Sequence, residues 1–106
     1  MKTISIEDLK GKMEQQSNIT LIEVLKEEEY KKGHIPRAIN IPLAKIATEV
    51  NKRFGKKQEI IVYCSDYECT ASKTAADKLE GFGFTNVYRY EGGKKEWKES
   101  GNPIET

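Results

Sequence analysis

The chain has 106 residues, 37% of them hydrophobic and 33% charged, enough for one core beneath a heavily charged surface. Its 18 basic and 17 acidic side chains leave a formal net charge of +1, so no global field draws nucleic acid or a membrane surface. No segment approaches the length of a membrane span and Met1–Ile6 lacks the apolar stretch of a signal peptide, so a cytoplasmic single domain over 1–106 with reduced thiols is expected.

In chain order, Ser5 followed by Glu7 and Asp8 starts a helix that carries Leu9 and Met13 and ends near Gln16. Thr20–Val24 is a short apolar run between Ser17-Asn18 and a charged cluster, the pattern of a buried parallel strand. Glu27–Lys32 is a brief helix stopped by Gly33 and Pro36. Ala38–Ile41 is a second strand, ended by Pro42. From Leu43 to about Phe54, the spacing of Leu43, Ile46, Ala47 and Val50 predicts a helix, with Gly55 placed to end it. Glu59–Tyr63 concentrates β-favouring residues and reads as a strand. Thr70–Glu80 places Ala71, Ala75 and Leu79 at helical spacing, with Gly81 as the C-cap. Thr85–Tyr90 is the last strand, and Gly92-Gly93 turns into a short helix carrying Trp97. The lysine patches, Lys52-Arg53 with Lys56-Lys57 and Lys94-Lys95 with Lys98, alternate with glutamates and read as solvated faces.

Strand and helix alternate with short connections, which predicts an α/β domain: a mainly parallel central sheet of about five strands with helices on both faces. Ligands of such sheets bind beyond the carboxyl ends of the strands. Cys64 stands at that end of its strand, followed by the loop Ser65, Asp66, Tyr67, Glu68, Cys69 and Thr70 and then by a helix. A helix N-terminus and the free N–H groups of a tight loop favour negative charge, so a cysteine here can be held as the nucleophilic thiolate. The bland alternative is a small hydrophobe buried at a strand end. Two cysteines with a single distant histidine, His34, do not supply a closed metal site, and no cofactor is called for. His34 belongs to a turn and fits a hydrogen-bonding role, and Trp97 a place in the core.

These residues also match a family. Leu21-Ile22-Glu23-Val24 is similar to the "LIDV" strand, Glu28–Pro36 to the "EEY..GHIP" segment, and Ile61-Val62-Tyr63-Cys64 to the strand that leads to the catalytic cysteine, while Gly81-Phe82, Gly92-Gly93 and Trp97 follow the tail pattern. The chain resembles a single-domain rhodanese-like sulfurtransferase over nearly its whole length. The resemblance implies that Cys64 takes a sulfane sulfur from a small-molecule donor or a protein persulfide, becomes a persulfide, and passes the sulfur to a thiol or cyanide. Amides of Ser65 through Thr70 are expected to converge on the Cys64 sulfur, without help from neighbouring positive side chains.

The departures matter as much. Glu23 stands where the family has aspartate, Leu25 where it has arginine and Arg37 where it has glycine. The loop lacks the arginine common five residues after the cysteine; Cys69 takes its place, beside Asp66 and Glu68. Six residues after Cys64 stands Thr70 and the loop holds no arginine at all, which disfavours the Cys-x5-Arg phosphate clamp of the related phosphatases. One carboxylate at roughly 6–8 Å from a thiolate costs about 2–3 kcal/mol before screening, and repels a dianion as well. Polysulfide or a persulfide is therefore the expected donor, ahead of thiosulfate. Cys69 could attack the Cys64 persulfide as a resolving thiol, or simply fill the arginine's space. A non-catalytic binding module and a Cys64/Cys69 redox sensor are the rival readings.

Overall fold

The computed structural model describes residues 1–106. Five parallel strands, β1 (Lys2–Ile4), β2 (Leu21–Glu23), β3 (Ile39–Asn40), β4 (Ile60–Tyr63) and β5 (Val87–Tyr90), form one sheet in the order β1-β5-β4-β2-β3. Between them run α1 (Ile6–Gln15), α2 (Glu27–Lys32), α3 (Ile46–Arg53) and α4 (Ala71–Gly81), with α5 (Gly93–Glu99) after β5. The expected α/β architecture is thus what the chain adopts. No helix is long and apolar enough to cross a membrane.

Residues along a strand alternate between faces, and the two faces build two separate cores. Ile22, Val24, Ile60, Val62 and Val87 pack with Ile46 and Val50 of α3 and with Ala75, Ala76 and Leu79 of α4. Leu21, Ile61, Tyr63 and Tyr90 pack on the other face with Leu9 of α1 and Trp97 of α5. Burial on both faces is why β4 reads as an unbroken apolar run; β2 is buried throughout as well, though it carries Glu23.

Local chemistry explains most boundaries. Ser5 caps α1 by accepting from the Asp8 N–H at 3.1 Å. The helix expected from Leu43 begins instead as a 3-10 turn over Leu43–Lys45, and α3 proper starts at Ile46. The predicted C-cap at Gly81 is corrected: α4 includes Gly81, Phe82 is the cap, and the left-handed residue is Gly83 at φ +95°. There the Phe84 N–H reaches the Leu79 carbonyl and the Gly83 N–H the Glu80 carbonyl, so Phe82 and Phe84 fold back against the core. Strand β1 has no counterpart among the predicted elements, being three residues long with Lys2 and Thr3 exposed to solvent.

Lys94 corrects the reading of its patch as solvated. Its ammonium donates to Glu23 Oε2 at 2.9 Å and to the carbonyls of Glu29 and Gly33, the last being the cap of α2. Glu23 is 0% exposed and also accepts from the Tyr63 hydroxyl at 2.8 Å. Charge pairing, not solvation, makes this lysine tolerable inside. Burial, and then the neighbouring Glu23 charge, hold the Tyr63 hydroxyl protonated far above its ordinary range. His34 has the structural role expected of it, with Nδ1 3.0 Å from the Tyr30 carbonyl and its ring stacked on Tyr30. Trp97 is a core residue whose indole N–H donates to the Pro103 carbonyl. Arg37 takes a left-handed φ of +71°, and its guanidinium donates to the Met13 and Gln16 carbonyls at the end of α1.

Candidate active site

Cys64 extends the alternation of β4 by one residue, onto the face it shares with Ile60 and Val62, and is 1% exposed. The start of α5 clamps it from the side. The Lys94 N–H donates to the Cys64 carbonyl at 3.0 Å and the Lys95 N–H to the Ser65 carbonyl at 2.9 Å. Gly93 makes this approach possible: at φ +66°, a Cβ there would stand 2.6 Å from the Cys64 carbonyl oxygen. The Gly92-Gly93 pair therefore belongs to the site as much as to the turn.

Asp66 organises the loop. Its Oδ1 accepts from the Glu68 N–H at 3.0 Å and the Cys69 N–H at 3.1 Å, and its carbonyl also accepts from Cys69. Those two amides, expected to face the Cys64 sulfur, are turned to the Asp66 side chain instead, because a carboxylate two residues upstream is the nearer and stronger acceptor. Thr70 is the N-cap of α4, with no hydrogen bond from its side chain to the helix. Ser65 is half-buried and Glu68 exposed. Tyr67 is 62% exposed and donates to Glu96 Oε2 at 3.1 Å, while Tyr90 donates to Glu96 Oε1 at 2.7 Å. The bond to Glu96 raises the Tyr67 pKa; at Tyr90 burial is the larger cause, followed by the same carboxylate.

The turn that Asp66 stabilises brings the Cα atoms of Cys64 and Cys69 to 6.4 Å, and their sulfurs are joined as a disulfide. The thiols expected to be reduced are paired in this structure, because this Cα separation lies within the span a disulfide bridges.

One further side chain meets the Cys64 sulfur and a second stands behind it, and the sequence reading singled out neither. Ser72, in the first turn of α4, places Oγ 3.4 Å from Cys64 Sγ. Arg89 of β5, 9% exposed, donates from Nε to Ser72 Oγ at 2.9 Å and from Nη2 to the Cys69 carbonyl at 3.2 Å. The expectation of a sulfur with no positive side chain nearby is thus corrected: the cation comes from the neighbouring strand, not from the loop. The signal was present in Val87-Tyr88-Arg89-Tyr90, where the strand period turns Arg89 to the face of Val87, a core position.

Beside the loop lies a pocket of about 340 Å³ whose charged lining is Asp66, Glu68, Glu96 and Glu99 against the single cation Lys95. The largest surface cavity, about 710 Å³, is elsewhere, between α2 and α3, and includes neither cysteine.

The fold and the strand-end cysteine define a known class. The family described as Rhodanese-like domain matches residues 5–100, and the chain belongs to that family. It is 36% identical over 87 residues to an HTH-type transcriptional regulator of Mycobacterium tuberculosis, covering 82% of this chain but 38% of the regulator. It is 31% identical over 81 residues to a thiosulfate sulfurtransferase of Coxiella burnetii, covering 76% of this chain and 73% of that protein. A Bacillus halodurans crystal structure superposes with a TM-score of 0.89 at 33% identity, over 98% of this chain and 76% of that one. The chain therefore spans well under half the length of the first of these relatives and about three quarters of the second.

Proposed function

We propose that the chain is a sulfurtransferase that carries a sulfane sulfur as a persulfide on Cys64, with polysulfide or a persulfide as donor in preference to thiosulfate. The observation that carries this reading is the pairing of Cys64, at the carboxyl end of the central strand, with Cys69 across a loop that holds acidic but no basic side chains. The Cys64 thiolate attacks a terminal sulfur of the donor, forming a new S–S bond, and the shortened polysulfide leaves with the electron pair. A thiol or cyanide acceptor then takes the outer sulfur and returns Cys64 to the thiolate. The acidic pocket beside the loop disfavours the thiosulfate dianion, although Arg89 behind the sulfur offsets part of that field.

Cys69 gives the persulfide a second exit. Its thiolate attacks Cys64 Sγ, the Sγ–S bond of the persulfide breaks, hydrosulfide leaves, and the Cys64–Cys69 disulfide forms. An external dithiol must then reduce that disulfide. The paired sulfurs also suit a redox sensor, the second reading, in which no sulfur is delivered to an acceptor. Intact mass of the reduced protein after polysulfide treatment, with sulfide release, separates these. Wild type should release sulfide and end as the disulfide, whereas Cys69→Ser should hold one added sulfur on Cys64 until cyanide or a thiol removes it. A Cys69→Ser protein that gains no sulfur would refute the carrier, and thiosulfate turnover matching polysulfide would refute the donor preference.

A further inference from the structure

We infer that Ser72 and Arg89 form a charge relay that sets the basicity of the Cys64 sulfur, an inference that rests on Cys64 being the sulfur carrier. Ser72 is 1% exposed, and its Oγ has two neighbours: Arg89 Nε, which donates to it at 2.9 Å, and Cys64 Sγ at 3.4 Å. With one lone pair of Oγ engaged by a guanidinium, the hydroxyl is free to turn its own proton to the Cys64 sulfur when that sulfur is a thiolate and has no proton to give. A charged donor behind the serine polarises that O–H, so the bond strengthens as the sulfur becomes anionic. Ser72 touches the reacting atom and is a catalytic residue in this reading. Arg89 acts through it and is a positioning residue.

The placement follows from the sheet. Val62 pairs with Arg89 across β4 and β5, so Arg89 projects from the same face as Cys64, one step back along the neighbouring strand. Its second arm holds the Cys69 carbonyl, which itself lies 3.4 Å from Cys64 Sγ, so one side chain ties both ends of the loop. An arginine is suited to this double role because its donors are fixed in a planar fork and it stays charged at every working pH.

Other charges around the sulfur oppose or miss it. Asp66 and Glu68 of the loop and Glu91, 3.9 Å from Arg89 Nη1, are negative and disfavour a sulfur anion; Lys94 is paired with Glu23 across the sheet; Lys95 borders the acidic pocket; and Lys73 of α4 pairs with Asp77. Arg89 is the buried cation on the sulfur's own face.

The test uses Cys69→Ala, which leaves Cys64 as the sole cysteine, so that the pH dependence of iodoacetamide alkylation reports one thiol. Adding Ser72→Ala should raise the alkylation pKa by about one unit, a tenfold loss of thiolate at a given pH below it. Arg89→Met should give a rise of similar size, Arg89→Lys a smaller one, and Ser72→Ala with Arg89→Met no more than either alone. A pKa unmoved by Ser72→Ala, or rises that add in the double variant, would overturn the relay. Should Arg89→Met not fold, the Ser72→Ala and Arg89→Lys profiles decide alone. The carrier reading is judged separately by sulfur loading, since the pKa is measured without any sulfur donor.

Discussion

Replacing Lys94 with methionine tests the interior charge pair that braces the site. Methionine keeps most of the apolar stem but removes the ammonium from three acceptors, Glu23 Oε2 and the Glu29 and Gly33 carbonyls, all within 2.9 Å. Glu23 is fully buried and would be left with the Tyr63 hydroxyl as its remaining partner. Removing one member of such a pair costs about 3–5 kcal/mol, because the survivor is desolvated without compensation. In a domain of this size each kcal/mol lowers Tm by about 4–8 °C, so a fall of roughly 12–40 °C is expected. Thermal unfolding followed by circular dichroism reads it directly. The double variant Glu23→Gln/Lys94→Met removes both charges while leaving an acceptor for Tyr63, and should recover more than half of the loss. Because the Lys94 N–H also holds the Cys64 carbonyl, the single variant, once its disulfide is reduced, should expose Cys64 to alkylation well below its melting point. A Lys94→Met protein that melts within about 3 °C of wild type would refute the argument that the pair is energetically coupled.

Gly93→Ala should cost at least about 1–2 kcal/mol from the left-handed backbone alone, and its methyl must displace the Cys64 carbonyl as well. Lowered Tm together with impaired sulfur loading is expected, and unchanged loading would mean that α5 does not hold the loop. Tyr63 and Tyr90 both have raised pKa values, chiefly through burial. Stability is therefore complete below about pH 10 and falls as pH rises further, since the unfolded chain loses protons that the folded one keeps. Ultraviolet titration should show two of the five tyrosines ionising only as the helical signal is lost; gradual ionisation of all five in folded protein would contradict it.

Period and punctuation made most of the fold readable. The four apolar residues of β4, the alanine spacing of α4 and the capping serine of α1 each signal one element through local chemistry. What escaped depends on partners far away in sequence. β1 is stabilised by pairing Lys2–Ile4 with Tyr88–Tyr90, a contact invisible to any local window. Lys94 sits in a run that reads as a wet helix face, and only the fold reveals Glu23 behind it. The same holds at the site. Cys64 and its loop could be located from the strand end, but the amides of Glu68 and Cys69 depend on where the Asp66 carboxylate turns. Arg89 was the one missed residue with a warning, an arginine at an inward position of a strand, which must find a buried acceptor.

Because Cys64 inherits its direction from the pleat of β4, hydrophobic packing aims the sulfur before the loop has any say. Slipping that strand by a single position would carry the reactive atom through the sheet, toward α1 and α5 and away from Ser72. Lengthening or rewriting residues 65–70, by contrast, leaves the aim intact and alters only the company the sulfur keeps. The interior thus holds the orientation fixed, and the rim is left at liberty to change what the atom reacts with.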